Sequence, residues 1–233
     1  RWYMKSKITK QSRNLLIAMI LGDGCATKRG QFMMTHGECQ LEYLTWKVKL
    51  LENNGVRHGG IKIAANHGFG EGKNKAYVIL NVLPFTKLLR RIMYKPKKSL
   101  ANRKLLNRLD ALGLAIWYMD DGGISFRKTG DRVHGFYIKI STYCSKEECQ
   151  VLIDYFKEVW DINFYTHKHN NMFSLMCGTK EGIKFINIVK PYVEEVSSML
   201  YKVSYDLSQR KDFLGTLNQA ETGNTVVNSE DIV

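Results

Sequence analysis

The stretch Leu15-Leu16-Ile17-Ala18-Met19-Ile20-Leu21-Gly22-Asp23-Gly24 is matched in character by Leu112-Gly113-Leu114-Ala115-Ile116-Trp117-Tyr118-Met119-Asp120-Asp121-Gly122-Gly123. Each is an apolar helical run that stops at an acid followed by glycine, the residue usual just beyond a helix. A carboxylate there faces the negative end of the helix dipole, which disfavours it by roughly 0.3 to 1 kcal/mol unless a cation compensates. One copy alone would indicate an ordinary Asp-Gly turn. Two copies suggest that Asp23 and Asp121 share one metal site.

The residues that follow each stretch repeat the same order of predicted elements. In the first half, apolar spacing predicts helices at about 42–53 and 85–92 and strands at 61–63 and 76–80. In the second half it predicts a strand near 136–141, a helix over 152–159, a hairpin around Asn170-Asn171 and a closing helix over 183–189. The sequence therefore predicts an α+β fold of two pseudo-symmetric αββαββα halves.

The two motif helices are expected to pack against each other at the interface between the halves. Small residues permit close approach of the two backbones: Ala18, Gly22, Gly113 and Ala115. This packing would bring both terminal acids to one central point. We divide the chain into an N-terminal half over 1–97, a basic linker over 98–111, a C-terminal half over 112–210 and a flexible tail over 211–233.

Composition favours a polyanionic partner. Lysine and arginine total 35 against 22 acids, which gives a formal charge of +13. The apolar run from Leu15 to Leu21 is far below the roughly 20 residues needed to cross a bilayer. We therefore expect nucleic acid rather than a membrane as the partner. Without a recognisable signal peptide, we expect an intracellular protein, in the cytoplasm of a bacterial or phage host or in an organelle matrix.

Two convergent carboxylates in a basic surrounding suit a divalent ion with oxygen ligands, of which Mg²⁺ is the natural choice beside phosphate oxygens. Such an ion polarises a phosphodiester and helps to activate water, so hydrolysis of nucleic acid follows as a hypothesis. The other common role of paired acids, the acid and base of a glycosidase, fits poorly with the excess of positive charge.

At residues 16–24 and 114–122 the sequence resembles the two motifs of a single-chain LAGLIDADG homing endonuclease. The resemblance covers about residues 12–205. It implies a monomer whose sheets form a DNA-binding saddle, and an intron-encoded enzyme that uses Mg²⁺ or Mn²⁺. Such an enzyme cuts both strands of a long asymmetric double-stranded target and leaves short 3′ overhangs.

The resemblance also implies roles for individual residues. It assigns metal binding to Asp23 and Asp121, and it points to Lys98 and Lys202 as the basic residues of the catalytic pockets. Asp120 stands where the first motif has Gly22, and both positions are included as candidate metal ligands, with Asp120 the main competitor for the second ligand role. The candidate DNA-binding residues are Lys28, Arg29, Lys62, Lys75, Tyr77, Arg127, Tyr137, Lys139, Tyr165 and His167.

Two other functions remain open on the same scaffold. An RNA maturase would bind its host intron RNA and assist splicing with no dependence on Asp23. A DNA-binding regulator would recognise a site without cutting it. In all three cases, binding should weaken with salt by about 0.9 log units per neutralised phosphate for each log unit of salt.

Overall fold

The computed structural model describes residues 8–65, 72–95 and 97–206 of the 233-residue chain. The N-terminal half contains, in order, α1 (Lys10–Leu21), β1 (Cys25–Ala26), β2 (Phe32–Gly37), α2 (Leu41–Asn53), β3 (His58–Ala65), β4 (Asn74–Leu80) and α3 (Pro84–Met93). A short helix, α4 (Arg103–Leu106), follows. The C-terminal half contains α5 (Ala111–Asp121), β5 (Gly122–Thr129), β6 (Arg132–Cys144), α6 (Lys146–Trp160), β7 (Tyr165–His169), β8 (Met172–Gly178) and α7 (Thr179–Val193). Two 3-10 turns, Glu38–Gln40 and Ser197–Lys202, complete the described elements.

Each half forms one four-stranded antiparallel sheet. The strand orders are β1-β2-β4-β3 and β5-β6-β8-β7, so every strand has a counterpart at the same place in the other sheet. Successive side chains of a strand point to opposite faces of the sheet, and one face of each sheet packs on the core. On that face of the second sheet, Phe136, Ile138 and Ile140 of β6 are fully buried. The α+β class and the pseudo-symmetric αββαββα halves predicted from the sequence are confirmed.

Local sequence signals explain where several elements begin and turn. The Thr9 side chain accepts a hydrogen bond from the Ser12 amide at the start of α1, and Asp110 does the same for Gly113 at the start of α5. The β7–β8 hairpin turns at Asn170, whose φ of 52° lies in the left-handed region that asparagine tolerates.

The two motif helices α1 and α5 pack directly against each other at the interface between the halves. Ala18 and Ala115 are fully buried there, and a Cβ on Gly113 would lie 2.5 Å from Asn14 Oδ1. Asn14 Nδ2 also donates to Asp110 Oδ1 at 2.6 Å, and the Asp110 amide donates back to Asn14 Oδ1. The predicted helix interface is therefore present, and a reciprocal polar pair fixes its register.

The segment over 98–111, predicted to be a basic linker, folds against the protein. It contains α4, and the side chains of Leu100, Leu105, Leu106 and Leu109 are buried in the core. The predicted tail over 211–233 lies outside the described residues. Within the described ranges, no helix has the length and apolar character that crossing a bilayer requires.

Candidate active site

The C-terminal ends of α1 and α5 meet beside one another. The Asp23 amide, one residue beyond the Gly22 cap of α1, donates to Asp120 Oδ2 in the last turn of α5 at 3.1 Å. This hydrogen bond joins the two motifs directly. It brings Asp23 together with Asp120 and Asp121, as the repeated motif predicts.

Lys98 and Lys202 place positive charge at these two helix ends, where an acid at a helix C-terminus is expected to need a nearby cation. Lys98 Nζ donates to Gly22 O at 2.7 Å and lies 3.5 Å from Gly24 O. Lys202 Nζ donates to Met119 O at 2.6 Å and Gly122 O at 2.8 Å. Each ammonium thus binds carbonyls that the helix leaves unpaired, and it lies at the negative end of the helix dipole.

The lysines compensate the acids only in part. Burial, followed by the nearby charges of Asp120 and Asp23, raises the pKa of Asp121 to about 7, against the lowering effect of Lys98 and Lys202. Burial, followed by the charge of Asp120, also raises the pKa of Asp23. Burial lowers the pKa of both lysines, although the three acids oppose this shift. A further cation bound near these acids would therefore stabilise their ionised forms.

The Asp120 side chain reaches across the interface into the N-terminal half. Its Oδ1 accepts hydrogen bonds from Lys47 Nζ at 2.9 Å and from Tyr43 Oη at 2.8 Å. The side chains of Asp120 and Lys47 are both fully inaccessible to solvent. Sequence reasoning missed Lys47 and Tyr43, although Lys47 falls inside the apolar stripe of α2, where a solvated lysine does not belong.

His36 of β2 lies on the other side of Asp23. Its Nδ1 is 3.6 Å from Asp23 Oδ2 and 3.3 Å from Gln40 Oε1. Burial, reinforced by the charge of Lys47, lowers the pKa of His36 to about 4. The histidine is therefore neutral near pH 7. One ligand atom each from Asp23, His36 and Asp120 lie within 4.8 Å of one another.

The candidate metal ligands differ in how open they are. The Asp23 side chain is 43% exposed, and its raised pKa fits a carboxylate that gains from a divalent cation. The Asp120 carboxylate is closed instead, because Lys47, Tyr43 and the Asp23 amide already donate to it. These three contacts disfavour the Asp120 side chain as the second metal ligand, and that role stays a prediction. Gly22 can offer only its carbonyl, which Lys98 binds.

The sheet residues predicted to contact DNA lie on the faces directed away from the core. Tyr77 pairs with Lys62 across β3 and β4, on the face opposite the buried Ala76 and Val78. The remaining predicted positions are Lys75 beside Tyr77, Lys28 and Arg29 in the exposed β1–β2 turn, and Arg127, Tyr137, Lys139, Tyr165 and His167 on the second sheet.

Two contacts organise this face of the second sheet. The Arg127 guanidinium lies 5.3 Å from the centroid of the Tyr137 ring. Lys139 pairs with Met176, which pairs in turn with Tyr165, so these residues form one row across three strands. Cationic and aromatic side chains therefore stand together on an accessible sheet face.

Comparison with known proteins identifies a matching family and a matching fold. The model of the LAGLIDADG DNA endonuclease family matches residues 13–185. Among solved structures, the homing endonuclease I-WcaI, bound to its DNA recognition sequence, superposes with a TM-score of 0.69. The two proteins are 23% identical, and the match covers 86% of this chain and 89% of that one.

Curated proteins also match along most of the chain. The Protein RecA of Mycobacterium gastri is 29% identical over 211 residues, which cover 84% of this chain and 48% of that protein. The cytochrome b mRNA maturase bI2 of Saccharomyces cerevisiae is 24% identical over 216 residues, which cover 82% of this chain and 46% of that protein. The chain spans about half the length of these curated relatives.

Proposed function

The chain belongs to the LAGLIDADG DNA endonuclease family, and we propose that it is a site-specific homing endonuclease. It hydrolyses both strands of a long, asymmetric double-stranded DNA target and leaves short 3′ overhangs. The reaction depends on a divalent metal, with Mg²⁺ or Mn²⁺ as the working ion. The enzyme acts as a monomer, because one chain carries both motifs.

The observation that carries this proposal is the convergence of Asp23 and Asp121 with two carbonyl-bound lysines at one centre. The raised pKa values of both acids support a site that takes up cations. Asp23 and Asp121 would hold the ions, with the Gly22 and Asp120 carbonyls as further candidates. Bound there, a divalent ion would polarise the scissile phosphodiester and stabilise the departing oxygen.

The two lysines position the acids and place positive charge beside the phosphate. Lys98 fixes the peptide carbonyls on both sides of Asp23, and Lys202 fixes the carbonyls that flank Asp120 and Asp121. Burial makes both ammonium groups less strongly hydrated, so their charge acts on a nearby phosphate more strongly than in water. Lys98 and Lys202 therefore supply electrostatic stabilisation of the negative charge that develops during cleavage.

The sheet faces supply DNA recognition. Lysines and arginines on these faces contact phosphates, while Tyr77, Tyr137, Tyr165 and His167 reach base edges in the major groove. The formal charge of +13 favours association with the duplex. The two sheets carry different residues at matching positions, which suits an asymmetric target.

The test begins with selection of cleavable sites from a randomised DNA pool in Mg²⁺. The selected target should then be cut on both strands by the wild-type protein. Asp23→Asn and Asp121→Asn should each cut at least about a thousandfold more slowly while binding the target in Ca²⁺. Asp154→Asn on the outer helix α6 is the matched control. If either active-site variant cuts at the wild-type rate, the metal assignment of that acid is wrong.

The match to a yeast mRNA maturase favours a second candidate, assistance to splicing of a host intron. In that case the protein binds intron RNA tightly, and Asp23→Asn leaves splicing unchanged. Splicing of the host intron with and without protein separates this function from cleavage. A binding affinity that does not change with salt for either nucleic acid would remove both functions.

A further inference from the structure

The carboxylate of Asp120 connects three elements of the protein. It accepts from Lys47 Nζ and Tyr43 Oη of α2 through Oδ1, and from the Asp23 amide beyond α1 through Oδ2. Tyr43 Oη also lies 3.1 Å from Ile116 O in α5. A residue of the C-terminal half thus holds the peptide that carries the metal-binding acid of the N-terminal half.

This arrangement is present in only one of the two motifs. Gly22 is the counterpart of Asp120 in the first motif, and a Cβ added to Gly22 would collide with the Asp120 carboxylate. The space on the pseudo-symmetry axis therefore accommodates one side chain, and Asp120 fills it. The Asp23 amide receives a carboxylate acceptor, whereas the first motif offers Asp121 no corresponding side chain.

The partners of Asp120 explain how its carboxyl group is accommodated in a buried position. A buried carboxylate without a cation would be strongly disfavoured, and the Lys47 ammonium, also buried, removes that penalty. The same ammonium would repel a divalent ion brought to Asp120 Oδ1. The hydrogen bond from the Asp23 amide to Asp120 Oδ2, at 3.1 Å, holds the Asp23 peptide against this buried side chain.

We propose that Asp120 is a positioning residue that fixes the Asp23 peptide, and through it the Asp23 carboxylate, in the geometry required for cleavage. Its effect on cleavage rests on the proposed nuclease function, whereas its hold on the Asp23 amide does not. The feature that matters is a hydrogen-bond acceptor at Oδ2, and Lys47 serves to keep that acceptor buried.

Two double variants separate this role from simple stabilisation. Asp120→Asn/Lys47→Met removes both buried charges but keeps an amide oxygen that can accept from the Asp23 amide. Asp120→Leu/Lys47→Met removes both charges and the acceptor while keeping a side chain that branches at Cγ. Replacing a buried ion pair by apolar groups is often neutral for stability, so both variants are expected to fold.

The first measurement is hydrogen exchange of the Asp23 amide by NMR, which requires neither metal nor DNA. Protection should persist in Asp120→Asn/Lys47→Met and be lost in Asp120→Leu/Lys47→Met. The second is cleavage at saturating DNA and Mg²⁺. The Leu variant should be slower by about a hundredfold with unchanged DNA affinity, as expected for a misplaced reacting group, while the Asn variant stays close to wild type.

The proposal is overturned if the Leu variant keeps its Asp23 protection or cleaves at the wild-type rate. It is also overturned if the Asn variant loses protection or is as slow as the Leu variant, since charge rather than the acceptor would then matter. Should the Leu variant not fold, Asp120→Ala/Lys47→Met takes its place, and the Asn variant alone still decides the exchange result. Wild-type protein that fails to cut any selected DNA would refute the nuclease function but leave the exchange test valid.

Discussion

In the N-terminal half, helix α2 directs Tyr43 and Lys47 toward the end of the motif helices, whereas α6 of the C-terminal half presents Phe156 to Trp117. The ring centroids of Trp117 and Phe156 are 5.9 Å apart in a stacked arrangement, and Phe156 also contacts Tyr155. In the N-terminal half, α2 instead contributes Lys47 to a buried ion pair with Asp120. The two halves thus share a backbone plan and differ in the chemistry that they bury.

This difference between the two buried interiors shows which features both pseudo-symmetric halves keep. Both halves keep an acid after the motif helix and a lysine that binds carbonyls at its end. The surrounding interior is free to change, because it only has to fill space and satisfy its own polar groups. An asymmetric interior around a symmetric set of acids and lysines gives two inequivalent sites in one chain.

Among the substitutions that test this comparison of the two halves, the largest effect is expected from removing the lysine in either half. Lys98→Met and Lys202→Met should each slow cleavage by about a hundredfold or more, because each removes a fixed positive charge beside the phosphate. Lys202→Met should also reduce the free energy of unfolding by ~1–3 kcal/mol, since it leaves two carbonyls unpaired in a buried position.

Cleavage rates and thermal unfolding of both variants check this expectation. The neighbouring exposed residue provides the control Lys97→Met, which should behave as wild type. Lys202 is buried, whereas Lys98 is only partly buried, so equal losses of stability in Lys98→Met and Lys202→Met would contradict this expectation.

Much of this arrangement could be predicted from the sequence. The repeated motif and the apolar spacing indicate the elements, and the acid at each helix end indicates a cation nearby. Lys47 and Tyr43 were missed because their partner, Asp120, is more than 70 residues away in the chain. A lysine in an apolar stripe signals a buried partner, but periodicity cannot identify which acid reaches it.

An intermediate, pH-dependent effect is expected at His36, which lies beside Asp23 in the N-terminal half. In the unfolded chain His36 binds a proton below its ordinary pKa of about 6.5, whereas in the folded protein its pKa is about 4. Protons therefore favour unfolding in this window, and the stability contributed by His36 is lost as pH falls from 6.5 toward 4.

The difference between wild type and His36→Gln isolates this contribution. Chemical unfolding at pH 7 and pH 4 should give a change of up to about 3 kcal/mol in that difference. The raised pKa of Asp121 produces the opposite slope over pH 4 to 7, but it is common to both proteins and cancels. His169→Gln at an exposed position is the control. A difference that does not vary with pH would show that His36 accepts a proton in the folded state.

The smallest effect is expected at the starts of α2 and α6. Ser145 and Glu148 form a reciprocal capping box at α6, whereas α2 begins without a side-chain cap. Ser145→Ala should lower the free energy of unfolding by about 1 kcal/mol. Lys146→Ala at the next, exposed position should leave it unchanged in the same denaturant titration. Equal effects of the two substitutions would argue against the cap as the source of stability.

The contacts of α2 with the end of the C-terminal half limit how members of this family can be recombined. The Glu42 carboxylate accepts from the amides of Ser197 and Ser198 at the start of the 3-10 turn that carries Lys202, and Trp46 Nε1 donates to Glu195. Half of one protein grafted onto half of a relative would lose these partners. A functional chimera would have to inherit α2 and the segment around residues 195–202 from the same parent.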